Sequence, residues 1–175
     1  MQDLLIVVDM QNDFITGALG TAEAVRIVPR AAEIIQEFQG KVFFTRDTHG
    51  EDYLDTQEGR KLPVPHCIRG TEGWQICPEL APFCKEAPID KGTFGASDLG
   101  KLLEELDREC PVRSITFIGL CTDICVISNA LLAKAFLGEA EIVVDASACA
   151  GVTPESHKTA LAAMKMCQIQ VTGEE

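Results

Sequence analysis

A chain of 175 residues with 46% hydrophobic content carries enough apolar material to bury one core, so neither disulfides nor a structural metal is needed for it to fold. Its 27 acidic against 15 basic residues leave a formal charge of -12. That balance argues against a surface made to neutralise phosphates, and hence against nucleic acid or an anionic membrane as partner. A small molecule or a protein is the expected partner, and residues 1–175 are read as a single domain.

The first stretch, MQDLLIVVDMQNDF, has no basic leader, and its apolar run at 4–8 is cut by Asp9, so no export signal is read there. No apolar stretch is long enough to span a bilayer. The eight cysteines, with no CxxC pair among them, are therefore expected to be reduced thiols in a cytoplasmic protein rather than a zinc module.

Residues 4–8 suit a strand buried on both faces of a parallel sheet. Val25, Val28, Ala32, Ile35 and Phe38 recur at helical spacing over 22–38, and Gly40 stops that helix. KVFFTRD (41–47) is a second strand ending on an acid. Residues 48–83 hold four of the eight prolines and the single Trp, without a regular period; a long irregular segment with this many apolar anchors is expected to be functional. A short strand at 86–91 precedes a helix near 98–107. SITFIGL (114–120) is a strand, 123–136 a helix, EIVVDA (141–146) a strand, 154–166 a helix entered through Thr153 and Pro154, and QIQVT (168–172) a last strand. Six strands alternating with helices predict a parallel α/β sheet covered on both faces.

Ligands of such sheets bind beyond the carboxyl ends of the strands. That rule selects Asp9, Asp47 and the loop after Leu120. Thr122 or Asp123 would cap the helix that follows, placing Cys125 in its first turn, where unpaired N–H groups and the helix dipole lower a thiol pKa. Cys121 precedes the helix, and its backbone N–H together with that of Cys125 would face a developing oxyanion. Both cysteines also fit a plain core role. Asp9 is the nearest proton acceptor by the strand-end rule, although acids often cap such loops. Lys91, in DKGTFGA, points either into a cleft or into solvent.

Together, Asp9 in LLIVVDMQNDF, Lys91 in DKGTFGA and Cys125 in IGLCTDICV resemble the signature of the isochorismatase-like cysteine hydrolases, the superfamily of nicotinamidase. The likeness extends over nearly the whole chain, including VVDASA (143–148) and PESHKTALAAM (154–164). The resemblance implies a three-layer α/β/α fold on a six-stranded parallel sheet of order 3-2-1-4-5-6. It implies an Asp9, Lys91 and Cys125 triad, a cis peptide at Leu120–Cys121, and homo-oligomeric assembly. The implied chemistry is attack of the Cys125 thiolate on a small amide, with Asp9 as proton carrier and Lys91 stabilising the anions.

Asp47 and His49, with His66 farther along, put two of the three histidines in one segment beside a carboxylate, a donor set suited to zinc, iron or manganese. In nicotinamidases the aligned residues bind a divalent metal. Glu58 best matches a fourth ligand, one residue out of register, with Asp52 and Asp55 as alternatives; zinc is the first choice of metal. Phe14 resembles the pocket aromatic of the family and is equally suited to the core, whereas LPVPH (62–66) lacks the aromatic that nicotinamidases often place before the last His. Trp74 lies after His66 and is not assumed to replace it. The expected activity is a nicotinamidase-like amidohydrolase. The rivals are a cysteine hydrolase of another amide, carbamoyl compound or vinyl ether, and a non-catalytic binding protein; no glycine-rich phosphate loop supports a dinucleotide site.

Overall fold

The computed structural model describes residues 1–174. Six parallel strands form one sheet: β1 (Gln2–Val8), β2 (Lys41–Asp47), β3 (Ile89–Lys91), β4 (Val112–Leu120), β5 (Glu141–Ala150) and β6 (Gln170–Thr172). Their order is β3-β2-β1-β4-β5-β6, as the family resemblance implies. The helices are α1 (Asn12–Ile15), α2 (Ala22–Glu37), α3 (Gln57–Lys61), α4 (Ser97–Glu109), α5 (Ile127–Phe136) and α6 (Pro154–Met166).

Side chains alternate across each strand, and a sheet covered on both sides therefore splits its apolar residues between two cores. Leu4, Ile6 and Val8 of β1 join Ile115 and Phe117 of β4 under α4, α5 and α6. Leu5 and Val7 turn the other way and meet Ile118, Leu120 and the apolar faces of α1 and α2. This explains why β1 reads as an unbroken apolar run instead of an alternating one.

Expected and observed elements differ mainly at their ends. β5 runs to Ala150 because a register shift after Phe117 lets Gly119 and Leu120 pair with Cys149 and Ala150. Gly119, at φ 119°, lies where an added Cβ would stand 2.1 Å from the Val8 carbonyl oxygen, so only glycine lets β1 and β4 approach there. Thr153 and Ser156 form a reciprocal capping box that starts α6.

The stretch after β4 departs from expectation in a way that matters. Thr122–Val126 is a π-helical turn, and α5 begins only at Ile127. Neither Thr122 nor Asp123 caps it: Thr122 Oγ1 pairs with His157 Nδ1 at 2.8 Å, and Asp123 accepts from the Val152 N–H. The wider turn is held by the Val126 N–H donating to Cys121 O at 3.0 Å. Among the described residues no helix is long and apolar enough to cross a membrane, and all eight cysteines are free.

Candidate active site

The first, second and third strands end side by side, and their carboxyl ends carry Asp9, Asp47 and Lys91. Asp9, the residue after β1, is fully buried at φ 47°, a left-handed conformation that non-glycine residues adopt mostly where surrounding structure imposes it. Thr45 Oγ1, on β2, donates to Asp9 Oδ1 at 2.7 Å. Lys91 Nζ approaches Asp9 Oδ2 to 2.7 Å as an ion contact, while no donor meets that oxygen in hydrogen-bonding alignment. Cys125 Sγ lies 3.4 Å from the same Nζ, and Thr93 O accepts from it at 3.2 Å.

Burial dominates the electrostatics. It pushes the Asp9 carboxyl up, and the Asp47 charge adds to this, while Lys91 opposes both. Burial would lower Lys91, but the carboxylates of Asp9 and Asp47, and Cys125 when it is ionised, outweigh it and keep the ammonium charged. The Cys125 thiol is raised well above its ordinary value, first by burial and then by Asp9, with Lys91 only partly offsetting them. The lowered thiol pKa expected from a helix N-terminus is therefore not found. The resting arrangement is a neutral thiol beside an Asp9–Lys91 ion pair, with an acceptor oxygen available on Asp9. Cys121, beside it on the cavity wall, is likewise raised by burial, to about 12.

A second group adjoins the first. One donor atom each from Asp47, His49, Glu58 and His66 lies within 4.8 Å of all the others. Asp47 Oδ2 is 2.9 Å from His49 Nε2 and 3.5 Å from His66 Nε2; Glu58 Oε1 is 3.7 Å and 3.8 Å from the same two nitrogens. His66 Nδ1 must donate to Val64 O, at 2.8 Å, because a carbonyl only accepts. That bond leaves Nε2 as the ring nitrogen that faces the centre, an arrangement typical of metal-ligating imidazoles. Two imidazoles and two carboxylates around one point, mostly shielded from water, fit a divalent transition metal by donor type and number. Burial works against ionised Asp47, but its contacts with His49 and His66 and the charge of Lys91 prevail and hold its carboxyl below the usual range. Lys91 Nζ, 3.4 Å from Asp47 Oδ1, thus bridges the two groups.

Loop packing decides which acid joins. The Tyr53 ring packs edge-on against both imidazoles, and its hydroxyl donates to Leu62 O at 2.9 Å. Gly59 lies so close that an added Cβ would stand 2.0 Å from Tyr53 O. α3, capped by Thr56, is thereby set against Tyr53 with Glu58 toward the histidines, while Asp52 and Asp55 remain exposed. Phe14 is buried with its ring centroid 5.5 Å from that of His66. Trp74 stays away from the cavity, stacked under Arg46 at 3.4 Å, with its indole N–H donated to Thr48.

Three supporting residues escaped sequence reasoning. Fully buried Gln11 takes the Asp47 N–H on its Oε1 at 2.7 Å and donates to Asp47 O at 2.8 Å and Trp74 O at 2.9 Å. Asp13 accepts the N–H of Cys67, next to His66, at 2.7 Å. Asn129 donates to Cys125 O at 2.8 Å and Phe94 O at 3.0 Å and accepts from the Ala96 N–H at 2.8 Å, tying the turn that carries Cys125 to the loop after Lys91. Their only local signal is a polar side chain beside an apolar run, and apart from Cys125, four positions from Asn129, their partners lie 33 to 63 positions away.

Cys125, Cys121, Phe14 and the acid–histidine group line one cavity of about 790 Å³. The Leu120–Cys121 peptide bond is cis. The sequence profile described as the Isochorismatase domain matches residues 3–175. The chain belongs to the isochorismatase family. Within that family it is similar to the uncharacterized protein PncA of Bacillus subtilis, at 32% identity over 174 residues, 92% of this chain and 93% of that one. A nicotinamidase/pyrazinamidase of Mycobacterium tuberculosis is 29% identical over 183 residues, 95% of this chain and 96% of that one. The pyrazinamidase of Pyrococcus horikoshii, solved in complex with zinc, superposes with a TM-score of 0.81 at 29% identity, covering 99% of this chain and 100% of that one.

Proposed function

We propose that this isochorismatase-family protein is a cysteine-dependent amidase that hydrolyses a small aromatic amide of the nicotinamide type to its carboxylate and ammonia. The observation that carries this reading is the meeting of Asp9 and Lys91 behind Cys125, which lines a cavity that also holds the Asp47, His49, Glu58 and His66 group.

Cys125 Sγ attacks the amide carbon as its proton passes to Asp9, whose Oδ2 lacks an aligned donor. Lys91 stays charged and stabilises whichever of the two groups is anionic. The backbone N–H groups of Cys121 and Cys125 serve the oxyanion. Asp9 returns the proton to the departing nitrogen, releasing ammonia and leaving a thioester. Water then adds to the thioester while Asp9 takes its proton, and collapse frees the acid and restores the Cys125 thiol. The raised Asp9 and Cys125 pKa values suit this cycle, because the proton moves between groups that are both reluctant to ionise.

Asp47, His49, Glu58 and His66 would hold a divalent metal, zinc by preference, which when bound supplies a Lewis-acidic anchor for a ring nitrogen. Phe14 borders the same space. A cytoplasmic setting, which keeps Cys125 reduced, and self-association belong to the proposal. The segment before His66 contributes Leu62 and no aromatic ring to the cavity, which favours as second reading another small amide or carbamoyl compound handled by the same chemistry.

The decisive experiment is an ammonia-release screen with nicotinamide, pyrazinamide and carbamoyl amides, with and without chelator. Expected is turnover of at least one ring amide that falls on chelation and recovers with zinc, iron or manganese. Failure to release ammonia from any of them in metal-loaded protein would overturn the proposal.

A further inference from the structure

At about 790 Å³, the cavity lies toward the upper end of the roughly 300–1,000 Å³ that pockets for drug-sized ligands span, well beyond what a one-ring amide fills. Past Cys125 and the acid–histidine group its lining continues to a mouth formed by Phe94, Leu62 and Val152, which are 46%, 39% and 52% exposed. Single exposed apolar residues are ordinary, but several that converge on one cavity are not.

These three come from separate segments: the loop after β3, the end of α3 and the loop after β5. Each is pinned through its backbone to the site's own framework. Asn129 donates to Phe94 O at 3.0 Å, Tyr53 donates to Leu62 O at 2.9 Å, and Asp123 accepts from the Val152 N–H at 3.1 Å. The mouth is therefore a positioned apolar surface continuous with the reactive end. Lys61, the lysine of the lining, is exposed at this mouth.

We propose that the site takes primary amides of extended apolar acids: a ring that carries the amide, bearing a second aryl or short alkyl group that rests among Phe94, Leu62 and Val152. This rests on the amidase reading above and narrows its substrate class. Removing that apolar group from water on binding favours the extended amide over the bare ring, and one added apolar group in such a pocket commonly changes kcat/KM by about tenfold or more.

The test is steady-state ammonia release by the metal-loaded full chain with nicotinamide and with nicotinamides bearing phenyl, butyl or carboxylate at ring position 5 or 6. Expected is a kcat/KM at least about tenfold above that of nicotinamide for phenyl or butyl at one of these positions. The same ratio should fall toward one in Phe94→Ser and in Leu62→Ser, whose folding is checked by circular dichroism. Best turnover of nicotinamide itself or of the carboxylate series would overturn the inference while leaving the amidase reading standing. So would a selectivity ratio unmoved in both variants, including the case in which sedimentation shows that they dissociate an assembly and the rim is a contact between copies. No ammonia from any amide would overturn both.

Discussion

The two polar groups of the site touch through Lys91, yet they are built from different material. Asp9 and Lys91 stand at strand ends and Cys125 in a turn leading directly from a strand, so the sheet sets their separation. His49 and His66 come from irregular stretches and Glu58 from the short helix α3 between them, and only Asp47 of their group belongs to a strand. A sheet positions its strand ends by its own hydrogen bonds, whereas a loop needs side-chain ties; here those are Gln11 and Asp13 from outside the segment and Tyr53 within it. The loop group should accordingly be the easier of the two to disturb without loss of the fold.

The largest expected effect separates the groups outright. Cys125→Ala should lower turnover by about 10⁴-fold or more, while metal content, measured by elemental analysis, stays stoichiometric. Retained activity would sink the assignment of the nucleophile. Conversely, His66→Ala should lose the metal while Cys125 is still alkylated by iodoacetamide; loss of both together would show that the two groups are one unit. Lys91 belongs to both, so Lys91→Met should not separate them. It leaves buried Asp9 and Asp47 without their cation, at a cost of about 3–5 kcal/mol in denaturant unfolding together with loss of turnover. A small stability change would mean that the carboxyls simply take up protons.

Smaller effects sharpen the contrast. Gln11→Ala should weaken metal affinity by about 10- to 100-fold, read from competition with a chelating dye, because Gln11 orients Asp47 from behind. Asn129→Ala should act on the other side, destabilising by about 1–3 kcal/mol through unpaired buried groups and lowering kcat with metal affinity retained. The smallest effect lies at the far end of β1, where Asp3 accepts from Arg113 and Ser114, and these bonds hold its carboxyl below the usual range. A lowered carboxyl contributes stability that is present above its unfolded value, about 3.9, and is lost as pH falls through its folded value. Arg113→Ala should therefore melt slightly below the wild type at neutral pH, and the difference should close at the acid end; a constant offset across pH would rule the pair out as its cause.

Much of this was legible in the chain. The continuous apolar run at 4–8 announces a buried parallel strand, SITFIGL at 114–120 another strand, and helical spacing over 22–38 the helix between the first two strands. The family motifs pointed to Asp9, Lys91 and Cys125, and the structure brings them together; Asp47, His49 and His66 share one segment, and the structure gathers them with Glu58. The π-helical turn was not legible, because its bonds compete with the ordinary helical cap that Thr122 and Asp123 offer by residue type, until His157 and Val152 claim those side chains. Nor was the thiol's raised pKa, since burial of Cys125 depends on what packs over it.

Local pattern thus determined the order and type of the elements, because apolar periodicity and capping residues act over a few positions. Tertiary structure alone decided that Glu58 joins the histidines, that Trp74 turns away under Arg46, and that Gln11 and Asn129 serve as ties. Glu58 depends on how α3 packs on Tyr53 within one irregular segment, and the other three on contacts between segments tens of positions apart, which exist only once strand order has brought the loops to the same edge of the sheet.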